Sequence, residues 1–261
     1  MIQSSIKIHE DQDFASMRIA GRLAADTLDY ITPFILPGVT TEELNTICHD
    51  FVSSKGATNA PLGYRGYPKS ICTSINHVVC HGIPGDRTLK EGDVLNIDVT
   101  PVVNGWHGDS SRMYYVGNVS TKAKRLINIT YDSMMRGIDT IRPGATLGDL
   151  GYAIQTYAEN NRCSVVRDFC GHGTGQVFHS PPNILHYGQP GEGITLKAGM
   201  IFTIEPMLNL GSWEVKLLKD GWTAVTKDKS LSAQFEHTIG VTDNGYEIFT
   251  LSSKGYTKPP Y

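Results

Sequence analysis

The chain has 261 residues, 40% of them hydrophobic and 19% charged, and its 26 acidic and 23 basic side chains give a net charge of −3. This composition predicts a soluble globular protein with a sizeable core. Because basic residues are not in excess, it argues against nucleic acid as a specific partner. Five cysteines without a CxxC pair predict buried thiols rather than disulfides or a thiolate zinc site. Because neither a membrane-spanning run nor a signal-peptide pattern is present, we expect a cytoplasmic protein without membrane contact.

The first part of the chain is predicted to form two helices followed by strands. Residues 12–32 carry apolar side chains at helical spacing. Thr40 followed by Glu43 is a capping box, which predicts a second helix running to about residue 52. Strand-like segments follow at 94–99 and 112–116.

The second part of the chain repeats this order of elements. Helices are predicted over about 122–141 and 146–160, and strands over 200–204, 222–226 and 235–241. A hairpin turn at 243–246 precedes a last strand at 247–251. The remaining residues, 254–261, are predicted to form a loose tail.

Two segments of the first part recur in the second, which indicates an internal duplication. PGVTTEEL at 37–44 resembles PGATLGDL at 143–150, and LKEGDVLNID at 89–98 resembles LKAGMIFTIE at 196–205, at nearly the same offset. The sequence therefore predicts one α+β domain over 1–261, with halves at about 12–117 and 122–251 related by a pseudo-twofold axis. We expect a functional site where the halves meet.

Acidic residues occupy matched positions in the two halves. Asp98 ends one apolar strand and Glu205 ends its duplicate, while Asp109 and Glu236 stand in similar surroundings. A single acid at a strand end is more often a turn cap, but here that interpretation would have to hold twice at equivalent places. Four carboxylates at one junction would repel each other by several kcal/mol, so their convergence would require bound cations.

His172 lies in the glycine-rich run GHGTG at 171–175. Taken alone it is more often a loop histidine, and the glycines are only a weak indication of phosphate binding. Beside four carboxylates it completes a ligand set suited to two divalent cations, which can activate a water for attack on a carbonyl group. Oxygen-rich ligation favours Mn, Fe or Co, with Zn or Ni as alternatives.

Seven segments in this order resemble the type I methionine aminopeptidases, namely CHGIP at 80–84, NID at 96–98, HGD at 107–109, GHGTG at 171–175, FHSPP at 178–182, TIEPM at 203–207 and FEHT at 235–238. The resemblance runs from about residue 6 to residue 251. It implies the pita-bread fold, in which helices cover the outer face of a central antiparallel sheet. It also implies a monomeric hydrolase that removes the initiator methionine from nascent polypeptides with a small second residue, in transient contact with the ribosome.

The resemblance further implies how the acidic residues share the two cations. One cation would be bound by Asp98, Asp109 and Glu236. The other would be bound by Asp109, His172, Glu205 and Glu236, so that two carboxylates bridge. Glu205 would also relay the proton of a water held between the cations.

Two more histidines acquire a role only through this resemblance. His81 and His179 would contact the scissile peptide and the tetrahedral intermediate, although each taken alone fits a turn beside proline. A neutral imidazole can donate a hydrogen bond to negative charge that grows in the transition state. The resemblance also suggests a monovalent cation near Asn76, Val78 and Ser232.

The substrate pocket is likewise implied by the resemblance, which assigns the methionine side chain to a slot lined by Tyr64, Tyr67, Cys72, Phe178 and Trp222. Sulfur–aromatic contacts would favour a thioether side chain there. Any one of these aromatic residues, taken alone, is more often part of a core. Pro61 stands where many bacterial members carry a cysteine, which puts the rim of the pocket in question.

Three alternatives are less favoured by the sequence. Prolidases and aminopeptidase P resemble this ligand pattern but carry an additional N-terminal domain, whereas the first helix here begins near residue 12. Type II methionine aminopeptidases insert a helical subdomain between the histidine ligand and the last glutamate ligand. Here His172, Glu205 and Glu236 follow one another too closely in the sequence to leave room for such a subdomain. A non-catalytic relative that binds without metals would have lost one or more ligands, and all five are present.

Overall fold

The computed structural model describes residues 6–261. The first five residues of the predicted domain lie outside the described residues, and so does this part of the segment in which a signal peptide would be expected. The four predicted helices are confirmed as α1 (Asp11–Ile31), α2 (Thr41–Ser54), α3 (Thr121–Ile138) and α4 (Leu147–Asn160). Short 3-10 turns lie at Thr32–Phe34 and Tyr64–Gly66. None of the helices in the described part combines the length and apolar character needed to span a bilayer.

The strands are short and numerous. Those of the first half are β1 (Thr58–Asn59), β2 (Ile71–Ile75), β3 (Val78–Cys80), β4 (Val94–Val99), β5 (Pro101–Val103), β6 (Trp106–His107) and β7 (Ser110–Tyr115). Those of the second half are β8 (Ser164–Val165), β9 (Gly171–Gly173), β10 (Ser180–Ile184), β11 (Ile201–Ile204), β12 (Met207–Asn209), β13 (Val215–Leu217), β14 (Ala224–Thr226), β15 (Ser232–Gln234), β16 (His237–Thr242) and β17 (Gly245–Ile248).

One predicted strand begins two residues later in the structure. The segment predicted as a strand over 235–241 contains β16, but Glu236 lies between β15 and β16 and forms an isolated bridge with Ser111 of the other half. Its backbone N–H donates to the Ser111 carbonyl at 3.1 Å. Local periodicity does not reveal this break, because it arises from a contact between distant parts of the chain.

The duplication is visible in the strand pairing. β4 lies between β2 and β7, and β11 lies between β9 and β16, with every neighbouring pair antiparallel. Isolated bridges recur at matched places too, joining Thr40 to Thr88 in one half and Thr146 to Thr195 in the other. The α+β fold and its repeated plan, expected from the sequence, are therefore confirmed.

Helices cover each half through a separate apolar core. Leu28 of α1 and Leu44 of α2 are fully buried in one core together with Ile97 of β4. Leu126 of α3 and Ile154 of α4 are fully buried in the other. Each helix pair thus packs mainly on its own half, while a third, smaller core joins α1 to β11 of the second half.

Side-chain hydrogen bonds join the halves where β7 approaches β15 and β16. The Ser110 hydroxyl donates to the Glu236 carbonyl at 2.8 Å, and the Thr238 hydroxyl donates to the Asp109 carbonyl at 2.7 Å. Both hydroxyl groups belong to fully buried residues, where a satisfied hydrogen bond is strongly preferred over an unmade one. The backbone at two of the candidate acids is thereby fixed from across the junction.

The C-terminal tail is packed, contrary to the prediction of a loose tail at 254–261. The Tyr261 hydroxyl donates to the Met113 carbonyl at 3.0 Å, and its ring lies 5.5 Å from that of Tyr114. Lys258 forms a 2.7 Å ion pair with Asp132. Chain ends are often loose, but here the last aromatic ring packs on the core, and only the tertiary structure shows this contact.

The Thr40 cap of α2 generates a stability prediction. The Thr40 hydroxyl accepts from the Glu43 N–H at 3.2 Å, and the Glu43 carboxylate accepts from the Thr40 N–H at 2.7 Å. Thr40→Ala removes one half of this reciprocal pair, and we expect a loss of about 1 kcal/mol in the free energy of unfolding. Urea unfolding followed by circular dichroism measures it, with Thr121→Ala at the exposed start of α3 as the control. Equal losses in the two variants would contradict the capping role.

Candidate active site

A cavity of about 350 Å³ lies between the halves. It is lined by every residue that the sequence analysis assigned to the divalent metals, the chemistry or the methionine slot, namely Asp98, Asp109, His172, Glu205, Glu236, His81, His179, Tyr64, Tyr67, Cys72, Phe178 and Trp222. The structure thus brings together residues that are spread over more than half of the chain. Pro61, which departs from the resembling family, also lines this cavity.

The four acids reach the cavity from strand ends and breaks in both halves. Asp98 lies near the end of β4, and Asp109 directly precedes β7. Glu205 directly follows β11, and Glu236 occupies the gap between β15 and β16. At such positions the side chain can turn towards the cavity while the backbone of the adjoining strand keeps its hydrogen bonds.

The ligand atoms of Asp109, His172 and Glu236 lie within 4.8 Å of one another. His172 Nε2 is 3.5 Å from Asp109 Oδ2 and 3.7 Å from Glu205 Oε1. Asp109 and Glu236 are each only 3% exposed. The distances and burial describe a compact set of oxygen and nitrogen donors that faces inward.

The pKa of each of these carboxyl groups is raised. Burial raises the pKa of Asp98 to about 7. Burial, together with the charge of Asp98, raises that of Asp109 well above its usual value. Burial also raises the pKa of Glu205 and of Glu236, with Asp109 as the next cause in both. Carboxylates in this arrangement therefore need added positive charge to stay ionised at neutral pH.

The cavity contains little protein charge that could serve this purpose. Among the described residues that line it, Arg65 is the one with a permanent positive charge, and it is exposed. Burial lowers the pKa of His172 to about 4, which leaves its imidazole neutral and able to bind a metal. Neutral imidazole and closely spaced carboxylates are the donors that divalent transition metals prefer, so the residues fit such ions.

Two further histidines border the acids. Burial lowers the pKa of His179 to about 3 and also lowers the pKa of His81. The His179 ring lies 4.1 Å from that of His172. His81 has a φ of 57°, a left-handed conformation that is uncommon for a residue other than glycine and often marks a functional position. At neutral pH both rings are uncharged and can donate or accept one hydrogen bond per nitrogen.

Aromatic rings form the apolar side of the cavity. The Tyr67 ring meets that of Trp222 edge to face at 5.1 Å, and the Tyr67 hydroxyl donates to the Ile71 carbonyl at 3.0 Å. Tyr64 and Phe178 lie 4.9 Å apart on the other side. Because these rings contact one another, they form a defined slot rather than separate surface groups.

Comparison with known proteins decides the family. The profile of metallopeptidase family M24 matches residues 15–243. The methionine aminopeptidase of Rickettsia prowazekii is 64% identical over 258 residues, which is 98% of this chain and 100% of that protein. The chain belongs to the methionine aminopeptidases of metallopeptidase family M24. The resemblance stated from the sequence motifs is therefore confirmed, as is the assignment to the metal-dependent hydrolases.

Other methionine aminopeptidases support this membership. The protein of Escherichia coli strain K12 is 52% identical over 249 residues, covering 95% of this chain and 94% of that protein. The crystal structure of the Rickettsia prowazekii methionine aminopeptidase superposes with a TM-score of 0.94 over 95% of this chain and 100% of that one. A prolidase from Pyrococcus horikoshii, at 19% identity and a TM-score of 0.74, covers 94% of this chain and 64% of its own and shares the fold alone.

The residues that hold Glu205 in place were not predicted from the sequence. The Thr203 hydroxyl donates to Glu205 Oε1 at 2.9 Å and accepts from the His172 N–H at 3.0 Å. Gln234 Nε2 donates to Glu205 Oε2 at 3.3 Å, and the Glu205 N–H donates to His186 Nε2 at 3.1 Å. Only Thr203 had a local signal, because it precedes Glu205 by two positions on the same face of a strand.

The residues suggested for a monovalent cation lie apart from this cavity. The Ser232 N–H donates to the Asn76 carbonyl at 2.9 Å, so these two residues are in contact. The Ser232 hydroxyl is buried and has no hydrogen-bond partner within residues 6–261. Asn76 and Val78 border a second cavity of about 160 Å³. Asn76 thus contacts Ser232 and lines the same cavity as Val78.

The raised carboxyl pKa values predict how metal binding depends on pH. Metal ligands must be deprotonated, so Mn(II) binding to the metal-free chain at pH 6 is expected to release protons and to be weaker than at pH 8. The Asp98 contribution is expected to vanish above its pKa of about 7. Isothermal titration in two buffers of different ionisation enthalpy measures the protons released, with the same titration at pH 8 as the control. An affinity that does not change between pH 6 and pH 8 would contradict the raised values.

Proposed function

We propose that this chain removes the initiator methionine from nascent polypeptides and prefers substrates with a small second residue. The observation that carries the proposal is the convergence of four carboxylates, two of them buried and two half-buried, and a neutral imidazole beside an aromatic slot in one cavity. Family membership supports the same activity, because the relatives at 64% and 52% identity are methionine aminopeptidases.

Two divalent cations are proposed as the cofactors, one bound by Asp98, Asp109 and Glu236 and the other by Asp109, His172, Glu205 and Glu236. Mn, Fe and Co suit this oxygen-rich set, and Zn and Ni are the alternatives. When bound, the cations would acidify a water so that it attacks the first peptide bond of the substrate. The short distances among Asp109, His172 and Glu236 support shared rather than separate ligands.

Glu205 is proposed to move the proton that the reaction transfers to the departing amine. Thr203 and Gln234 each donate to one of its carboxylate oxygens, so the group has a fixed orientation. Burial raises its pKa above the usual value, which makes this carboxylate a stronger proton acceptor than an exposed one.

His81 and His179 are proposed to bind the scissile peptide and to donate to the oxygen that becomes negatively charged. Burial keeps both rings neutral, which preserves an N–H donor without adding a charge that would repel the metals. The contact of His179 with Phe178, at 4.0 Å between ring centres, fixes its orientation beside the slot. Preorganised donors of this kind stabilise the transition state more than the ground state.

The methionine side chain is proposed to occupy the slot of Tyr64, Tyr67, Cys72, Phe178 and Trp222. A flexible, unbranched thioether can follow such a slot and contact the ring edges through its sulfur. Tyr64 and His179 stack at 5.0 Å beside the reacting groups, and this crowding supports the preference for a small second residue.

The remaining parts of the proposal concern the setting of the enzyme. We propose a monomer made of one domain that acts in the cytoplasm and contacts the ribosome transiently, because nascent chains become available there. A monovalent cation is proposed at Asn76, Val78 and Ser232, where the unpartnered Ser232 hydroxyl supports a ligand.

The activity itself is the first prediction. Purified chain with Co(II) or Mn(II) is expected to release methionine from a Met-Gly-Met-Met peptide, and EDTA is expected to stop the release. Glu205→Gln is expected to lower kcat by about 100-fold or more because it removes the proton carrier, with little change in folding. Chromatographic detection of free methionine measures both effects. Cleavage only beside proline would favour a prolidase, and a near wild-type rate for Glu205→Gln would refute its role.

The role of His179 can be separated from metal binding. His179→Ala is expected to lower kcat by about 100-fold, because it removes one donor to the developing charge. The content of bound metal, measured by mass spectrometry of the protein purified without chelators, is expected to equal that of the wild type. Loss of metal from His179→Ala would instead identify this histidine as a ligand.

A further inference from the structure

The turn that contains Arg65 forms part of the cavity wall and has an unusual backbone. Arg65 has φ 47° and ψ 29°, and it stands between Gly63 at φ 83° and Gly66 at φ 88°. A residue other than glycine in this left-handed region costs roughly 1 kcal/mol, so such a conformation often accompanies a functional side chain. Hydrogen bonds from Gly63 N–H to the Tyr67 carbonyl at 2.8 Å and from Gly66 N–H to the Gly63 carbonyl at 3.1 Å close the turn.

The Arg65 guanidinium lies close to the reacting groups. It is 5.3 Å from the centre of the Tyr64 ring, which in turn stacks at 5.0 Å on His179. Its charge contributes to the lowered pKa of His179, after burial and the charge of His172. Within residues 6–261, Arg65 has no hydrogen-bond or ion-pair partner, so its N–H donors are available to a ligand.

The cavity has buried acids and two exposed charged side chains. The buried acids Asp109 and Glu236 lie inside, and the exposed residues of its lining include the cation Arg65, on the side of Tyr64 and His179, and the anion Asp168. An N-terminal substrate carries its positive amino group at the end that enters, and the rest of its chain must leave through the opening. Residues of the substrate beyond the scissile bond therefore pass the guanidinium group.

We propose that Arg65 is a specificity residue that binds acceptor groups of the substrate downstream of the scissile bond and favours an acidic side chain at positions three to five. This inference rests on the proposed methionine-releasing function and deepens it. The attraction acts equally on the bound substrate and on the transition state, so it lowers KM and leaves kcat nearly unchanged.

The test uses peptides that differ only in charge. In a Met-Ala-Ser-Gly-Ser-Gly parent, one aspartate is placed at position three, four or five, and a matched lysine series is made. For the position nearest Arg65, the wild type is expected to show a kcat/KM about two- to fivefold higher with aspartate than with lysine. A ratio of this size corresponds to the interaction free energy of an exposed ion pair. This ratio is expected to fall towards one in 0.5 M salt, because exposed charges are screened.

Arg65→Asn is the main variant, because asparagine also tolerates the left-handed conformation and carries no charge. It is expected to bring the ratio to about one through KM, and Arg65→Glu is expected to invert the preference. Lys55→Ala is the matched control, since the Lys55 ammonium also lies 5.3 Å from a ring, that of Phe51, but does not line the cavity. It is expected to keep the wild-type ratio.

The outcomes distinguish this inference from the function on which it rests. Release of methionine from the uncharged parent, with the same aspartate-to-lysine ratio in wild type and Arg65→Asn, would overturn the role of Arg65 alone. A wild-type ratio of one at all three positions would do the same. No metal-dependent release from the parent peptide would overturn both proposals.

Discussion

The burial of four carboxyl groups in one cavity is the constraint on which the rest of this structure depends. Desolvation and mutual repulsion raise the pKa of Asp98, Asp109, Glu205 and Glu236, so the ionised cluster is unfavourable by itself. Divalent cations offset this cost when they bind. The folded chain can tolerate this electrostatic cost before cations bind, because the apolar cores between the helices and the sheets stabilise it independently of the site.

The duplicated architecture explains how one small domain can collect these groups. Each half delivers one acid from the end of an equivalent strand, and hydroxyl groups on either side of the junction fix the backbone of the partner half. Thr203 and Gln234 then orient the Glu205 carboxylate. Thr100 likewise donates to Asp109 Oδ1 at 2.8 Å, so two of the four carboxylates are oriented by neighbouring polar side chains, as precise metal binding requires.

The neutral and charged groups of the cavity have different tasks. Burial keeps His81, His172 and His179 uncharged, so they can bind metal or donate hydrogen bonds without competing with cations. The permanent charge of Arg65 belongs to an exposed side chain, where water partly screens it. The proposed substrate would thus bring its positive amino terminus to the negative charge deep in the cavity, and its downstream residues would pass the Arg65 side chain.

The sequence by itself determined the four helices, the duplication and the family, because helical periodicity, capping boxes and ordered motifs are local signals. Matched strand ends also singled out Asp98 and Glu205, and the motifs around them added Asp109, Glu236 and His172. Only the tertiary structure decided that Glu236 lies in a gap between two strands, that Tyr261 packs on the core, and that His186 and Gln234 support Glu205. Each of these depends on contacts between residues far apart in the sequence, and no local pattern encodes such contacts.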